Sequence, residues 1–248
     1  MPLLVLCYHA ISPDWPAALS TTQERFAEQL GLLAARGYRG VTFTEAVDRR
    51  DKVRRDRDRL VAVTFDDAFA SVAELARPVL DDLGWPATLY VPTDFPGERR
   101  PLAWSGTDHW LQGPHAHELT PLGWDGLRGL RDAGWELGSH TCSHPRLTTL
   151  DDAELARELT ESRAVCEREL GDCPSLAYPY GDVDGRVVAA AEAAGYRTAA
   201  ALPPQPHRGE PLRWPRVGVY RVDDARRFRL KANRALQLLR GGSRRPPR

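Results

Sequence analysis

The chain has 248 residues, with 34 Lys+Arg against 34 Asp+Glu for a formal net charge of +0, and 42% of it is hydrophobic. This balance lacks the basic field that nucleic-acid partners require and the acidic excess of disordered chains. The apolar share suffices for a sizeable core in one large domain or two small ones.

The opening MPLLVLCYHAIS lacks the cationic start, long apolar run and cleavage site of a secretory leader. No apolar run approaches the roughly 20 residues of a membrane span. These features predict a cytoplasmic chain without a transmembrane segment. LLVLCY (3–8) predicts the first strand. Thr21 and Glu24 form a capping-box pattern for a helix that runs to about Gly37. Residues 40–43 predict a brief second strand, and the charged, mixed-sign stretch 48–59 predicts a solvated loop or helix face. LVAVTF (60–65) is almost wholly apolar, as in a strand buried on both faces. Residues 69–83 read as helical, with Pro78 starting a second segment. A strand follows at 87–92. The stretch 93–123, rich in Pro, Gly, Trp and His, has no periodicity, and loops of that length are often functional.

A helix at 124–133 and a strand at 135–139 come next. Residues 151–170 predict a helix with Leu155, Leu159, Cys166 and Leu170 on one face. A strand at 175–179, a helix at 183–194, a strand at 198–202, a Pro-rich loop and a strand at 216–220 complete the alternation. A basic helix begins at about Asp224, and the last residues, GGSRRPPR, predict a disordered basic tail over 241–248. Strand and helix alternate about seven times, which predicts parallel α/β units closing into a barrel one strand short of eight. The four cysteines, at 7, 142, 166 and 173, form no CxxC pair and read as buried free thiols in a reducing compartment.

Four polar clusters fall at the C-terminal ends of predicted strands, the edge where parallel α/β folds build their sites. They are Tyr8-His9, Asp66-Asp67, His140 to His144, and Tyr178-Pro179-Tyr180-Gly181. Two carboxylates crowded at one strand end do not both ionise cheaply without a cation, although an Asp there also serves as a helix cap. A turn after the strand can bring both to one cavity. His140 and His144 supply two imidazoles on the same rim. Two histidines and one carboxylate bind a divalent cation while leaving positions open for water and substrate. The other Asp then takes a proton from water, which attacks a carbonyl, and His9 has the pKa range of the acid for the leaving group.

TFDD (64–67), SHTCSH (139–144) and YPYG (178–181), in that order, resemble the polysaccharide deacetylase family with the NodB homology domain, carbohydrate esterase family 4. The similarity spans nearly the whole chain and implies one such domain over residues 1–240, with a deformed (β/α)7 barrel. It implies Asp66 as the base, Asp67, His140 and His144 as ligands of a divalent metal, usually zinc (Co2+, Ni2+, Fe2+ and Mn2+ being alternatives), and the backbone N–H of Tyr180 in the oxyanion hole. The substrate implied is an acetylated sugar or glycan. Two departures stand out. Many members carry an Arg two residues before the Pro of the third motif, where this chain has Ala177; Arg216 or Arg221 is the expected replacement. The acid histidine common on the last strand is absent from RVGVYRV. Instead Tyr8-His9-Ala10-Ile11 resembles the opening of the exopolysaccharide-type subgroup, in which an N-terminal histidine serves as acid. His9 is therefore the expected acid, with His207 and His109 as fallbacks.

Trp104, Trp110 and Trp124 lie in or beside the long loop and read either as core residues or as platforms for sugar rings. His109, His115 and His117 share that loop and raise the question of a second metal. Two competing readings stay open: hydrolysis of a non-sugar amide or imide bond on the same barrel, and a non-catalytic glycan-binding protein. O-acetyl and N-acetyl substrates are not distinguished, and the sequence does not speak to oligomeric state.

Overall fold

The computed structural model describes residues 3–49, 59–97, 100–202 and 210–241. The charged stretch 50–58, His207 and the basic tail from 242 lie outside them.

Eleven strands are assigned among the described residues: β1 (Leu4–Tyr8), β2 (Ala10–Ile11), β3 (Ser20–Thr21), β4 (Arg39–Val41), β5 (Leu60–Phe65), β6 (Thr88–Val91), β7 (Glu136–Ser139), β8 (Ser175–Ala177), β9 (Thr198–Ala201), β10 (Trp214–Pro215) and β11 (Val217–Gly218). β2 and β3 pair only with each other; the remaining nine form one parallel sheet, eight of them in the order β10-β9-β8-β7-β6-β5-β1-β11 and β4 off this path beside β5. β10 and β11 flank the single residue Arg216. This one extended segment therefore pairs with β9 on one side (Trp214 opposite Ala200) and with β1 on the other (Leu6 opposite Val217), closing a ring of seven. β4 adds a short eighth strand. It pairs with the first half of β5, from Leu60 to Ala62, while β6 takes the second half at Thr64 and Phe65. The barrel expected from the alternation is thus formed, deformed where two strands share one neighbour.

The helices are α1 (Gln23–Ala34), α2 (Phe43–Asp48), α3 (Arg77–Leu83), α4 (Trp124–Asp132), α5 (Asp152–Leu170), α6 (Gly185–Ala193) and α7 (Ala225–Gly241). The α1 cap is Thr22, whose side chain accepts from the Arg25 N–H, rather than Thr21. Thr21 is taken up by β3, whose pairing with β2 uses its backbone. The strand expected at 40–43 starts one residue earlier and ends two earlier, at Val41, because Thr42 caps α2. A π-helical stretch, Val72–Ala76, runs into α3.

Strand side chains alternate between two packed layers. Leu4, Leu6, Val61, Val63 and Phe65 face outward into the large core under the helices. Leu3, Val5, Leu60, Ala62, Tyr90, Ala177 and Ala200 form the smaller inner cluster. α2 plugs the N-terminal end of the lumen: the Phe43 N–H donates to Thr88 Oγ1 (2.8 Å), and Thr44 bonds to Glu136 through its N–H (2.8 Å) and hydroxyl (2.9 Å). Gly138 leaves room for the ring of Tyr90, since a Cβ there would lie 2.7 Å from it. With the N-terminal end plugged and the lumen filled, the polar residues collect at the C-terminal edge.

Candidate metal centre and active site

β5 delivers the two aspartates. The Asp66 N–H still donates to the Tyr8 carbonyl (3.0 Å), so the ladder runs to that residue. Asp67 and Ala68 then turn left-handed, at φ 73° and 55°. Strand alternation would send neighbouring carboxylates to opposite faces; this turn brings both over the lumen, buried at 2% and 3% exposure. The remaining non-glycine residues with positive φ among those described are Thr141, His144 and Tyr180, all on the same rim. Such conformations cost energy and cluster where a site over-determines them.

β7 ends at His140, and the SHTCSH loop carries His144 back beside it. The Nε2 atoms of His140 and His144 lie 3.4 and 3.3 Å from Asp67 Oδ1. His140 Nδ1 contacts the Ala177 carbonyl at 2.7 Å; donating there, it leaves Nε2 free as a ligand. Asp67 Oδ1 and His144 Nδ1 are buried without a hydrogen-bond partner. Buried polar atoms are seldom left so. Donors about 2.0–2.2 Å from one tetrahedral ion stand roughly 3.3–3.6 Å apart, the spacing seen here. The three side chains therefore fit a single divalent cation. Around them, the Trp104 ring stacks on the His144 ring (centroids 3.9 Å, 20° between planes) and the Tyr180 ring meets it edge-on at 4.7 Å.

Asp66 stands apart from this triad. Arg216 grips it with two nitrogens, at 2.6 and 2.8 Å, and also donates to Thr64 Oγ1 (3.0 Å). Arg216 thus supplies the guanidinium missing at Ala177. Arg221 lies elsewhere, bonded to Ser20 Oγ and the Pro13 carbonyl. Burial alone would raise the Asp66 pKa, but Arg216, His140 and His9 outweigh it and hold the carboxyl at about 2. Asp67 is likewise held well below the carboxylate range against its burial, by the His140 and His144 imidazoles. Burial pulls His140 down, yet the two aspartates raise it on balance; for His144 burial prevails and its pKa falls.

His9 joins this site. Potential ligand atoms of Cys7, His9 and Asp66 lie within 4.8 Å of one another, and His9 Nδ1 is buried without a partner. The Cys7 thiol, pushed up by burial, lies 3.4 Å from Asp66 Oδ2. Sequence reading had treated Cys7 only as a buried thiol; its inward register on β1, two residues before His9, is the signal that places it here.

The family model for polysaccharide deacetylase matches residues 53–199. The chain belongs to the polysaccharide deacetylase family. YxkH of Bacillus subtilis (strain 168) is 24% identical over 203 residues, 82% of this chain and 65% of YxkH, so the chain spans just under two thirds of that relative. Among solved structures, the deacetylase PplD of Streptococcus pyogenes, in complex with acetate, superposes with a TM-score of 0.75 at 18% identity, covering 94% of this chain and 98% of PplD. IcaB from Ammonifex degensii gives 0.71 at 25% identity, covering 93% and 95%. These neighbours share the NodB-type barrel.

The other residues singled out in the sequence fall outside this site. His109 is exposed on the turn Asp108–Trp110, with its ring against Trp110. His115 also packs on Trp110, and His117 Nδ1 contacts the Pro114 carbonyl at 3.1 Å. Trp110 packs edge-on to the buried Trp15, and Trp124 is partly buried against the core. Of the three tryptophans, Trp104 reaches the site. Among the described residues no helix is long and apolar enough to cross a membrane.

Proposed function

We propose that this chain is a metal-dependent deacetylase that hydrolyses N-acetyl or O-acetyl groups of a sugar, glycan or glycoconjugate. The observation that carries the reading is the pairing of two distinct carboxylates at one strand end. Asp67 sits between two imidazoles, and Asp66 is locked by Arg216 beside them. Asp67, His140 and His144 would hold the cation, with zinc favoured by the mixed imidazole and carboxylate donors. When bound, the cation makes water more acidic and polarises the acyl oxygen.

Asp66, ionised and aimed by Arg216, takes the proton of the attacking water. His9 gives a proton to the departing amine or alkoxide. The backbone N–H of Tyr180 donates to the oxyanion that forms as the carbonyl carbon becomes tetrahedral. Acetate and the free sugar amine or hydroxyl are the products. The half-exposed ring of Tyr180 flanks the reacting position and suits the apolar face of a sugar ring, while Trp104 backs the His144 ring. The Arg216 pairing answers the absent arginine at Ala177, the feature that favoured a non-catalytic binding protein.

A cytoplasmic setting, in keeping with four buried free thiols, suits a lipid-linked or nucleotide-linked acetylated sugar. Acetate release from acetylated chitooligosaccharides, acetylated polymers and UDP-N-acetylglucosamine tests both activity and substrate class. Asp66→Asn should lose turnover by roughly 10²–10⁴-fold while keeping its metal. Full turnover in that variant would end the base assignment.

A further inference from the structure

Between the two histidine ligands the chain makes an unusual loop. Thr141 and His144 are both left-handed, at φ 69° and 63°, and the intervening N–H groups of Cys142 and Ser143 point to a common acceptor. That acceptor is Glu158, from the second turn of α5. Its Oε2 accepts from the Cys142 N–H (2.8 Å) and the Ser143 N–H (3.0 Å), while its Oε1 accepts from the Ser143 hydroxyl (2.8 Å). Successive backbone N–H groups near a left-handed residue make an anion-binding concavity. Here the anion is the chain's own carboxylate.

Glu158 is 2% exposed and stands on the buried face of α5 among Leu155, Leu159 and Cys166. Its nearest cation is Arg157, at 3.5 Å from Oε1 and outside the loop. An ordinary core position would not keep a charge there, because burying a carboxylate is costly unless its donors are well placed. The three donors within 3.0 Å all belong to the loop that carries His144. The other ties of that loop are His144 N–H to Thr141 Oγ1 (3.1 Å) and Thr141 N–H to Ser139 Oγ (3.1 Å) at the β7 end, and the Thr141 and Cys142 carbonyls, which accept from the Thr93 (3.0 Å) and Asp94 (3.1 Å) N–H groups just after β6. The Cys142 thiol also contacts the Glu158 backbone carbonyl (3.6 Å). Glu158 is the anchor that reaches it from the α5 helix.

We propose that Glu158 is the positioning residue for His144, and that through it α5 sets the affinity of the site for its cation. The inference rests on the reading of Asp67, His140 and His144 as cation ligands. Without the carboxylate, the strained loop relaxes and His144 Nε2 leaves its place 3.3 Å from Asp67 Oδ1.

The test measures Co2+ affinity by chelator competition, and the visible absorption of the Co2+ form, on the full chain. Glu158→Ala should weaken Co2+ binding by roughly 10- to 100-fold and alter the absorption band, with far-UV circular dichroism unchanged. Glu158→Gln keeps an acceptor oxygen for the two N–H groups and an amide for the Ser143 hydroxyl; it should restore the wild-type band and most of the affinity. Should Glu158→Ala fail to fold, Glu158→Asp decides: it keeps the charge but falls one methylene short of the loop, and it should lose about tenfold. Wild-type affinity and spectrum in a folded Glu158→Ala or Glu158→Asp protein would overturn the proposal. A wild type that binds no Co2+ would instead strike the metal reading itself, and this inference with it.

Discussion

Arg216 extends through the barrel lumen and places two guanidinium nitrogens on the carboxylate of Asp66, at 2.6 and 2.8 Å, although 150 residues separate the two in sequence. The segment that closes the ring between β9 and β1 is the one that carries this arginine. Ring closure and the ionisation of the candidate base are therefore one structural event.

Replacing the arginine should expose both consequences. In Arg216→Met, burial of Asp66 is no longer opposed by the guanidinium, so its pKa rises from about 2 and the acidic limb of the rate profile moves to higher pH. Removing one partner of a buried pair also leaves a bare charge, at a cost of about 3–5 kcal/mol in stability. Urea unfolding at neutral pH and a pH–rate profile check the two effects. The sign of the linkage gives a third readout. The Asp66 pKa is depressed from 3.8 to about 2 on folding, so its stabilisation is present above about pH 4 and lost as pH falls through about 2. The variant should lack that acid-dependent loss.

His9 is buried at Nδ1 and faces Asp66, yet it belongs to no part of the Asp67 triad. His9→Ala should therefore lower kcat by roughly 10²–10⁴-fold and leave metal content unchanged. Stopped assays together with metal analysis separate the two. Turnover equal to wild type would remove His9 from the mechanism.

A cation that satisfies the orphaned Asp67 Oδ1, with Nε2 of His140 and His144 beside it, binds the folded chain alone. At a metal concentration 100 times Kd this adds about 2.7 kcal/mol of stability. For a chain of this size that is a rise in Tm of about 5–11 °C, at roughly 2–4 °C per kcal/mol. Differential scanning fluorimetry with and without zinc should show the rise in wild type and its loss in His144→Ala.

Much of this site was legible in local sequence. Each motif stands at the end of a buried apolar run, and strand termini in parallel barrels converge in space; TFDD and SHTCSH therefore brought Asp66, Asp67, His140 and His144 together before any coordinates. What the sequence left hidden is long-range. Arg216 stood as one of two candidates because only ring closure determines which arginine faces Asp66. Glu158 was not marked by the 151–170 helix pattern, which picks out only Leu155, Leu159, Cys166 and Leu170, because its partners are backbone N–H groups in another element. Thr21 had the pattern of a cap, but β-pairing claimed its backbone and passed the role to Thr22. Trp104 could not be told from its neighbours Trp110 and Trp124 because the long loop has no periodicity to place them.

The central claim is that Asp67, His140 and His144 hold one catalytic cation, and acetate release from an acetylated chitooligosaccharide after chelation and metal restoration tests it most directly. Chelated enzyme should be inactive, one equivalent of divalent cation should restore it, and Asp67→Ala should stay inactive at the same metal concentration. Undiminished turnover in the chelated enzyme, or in Asp67→Ala, would contradict it.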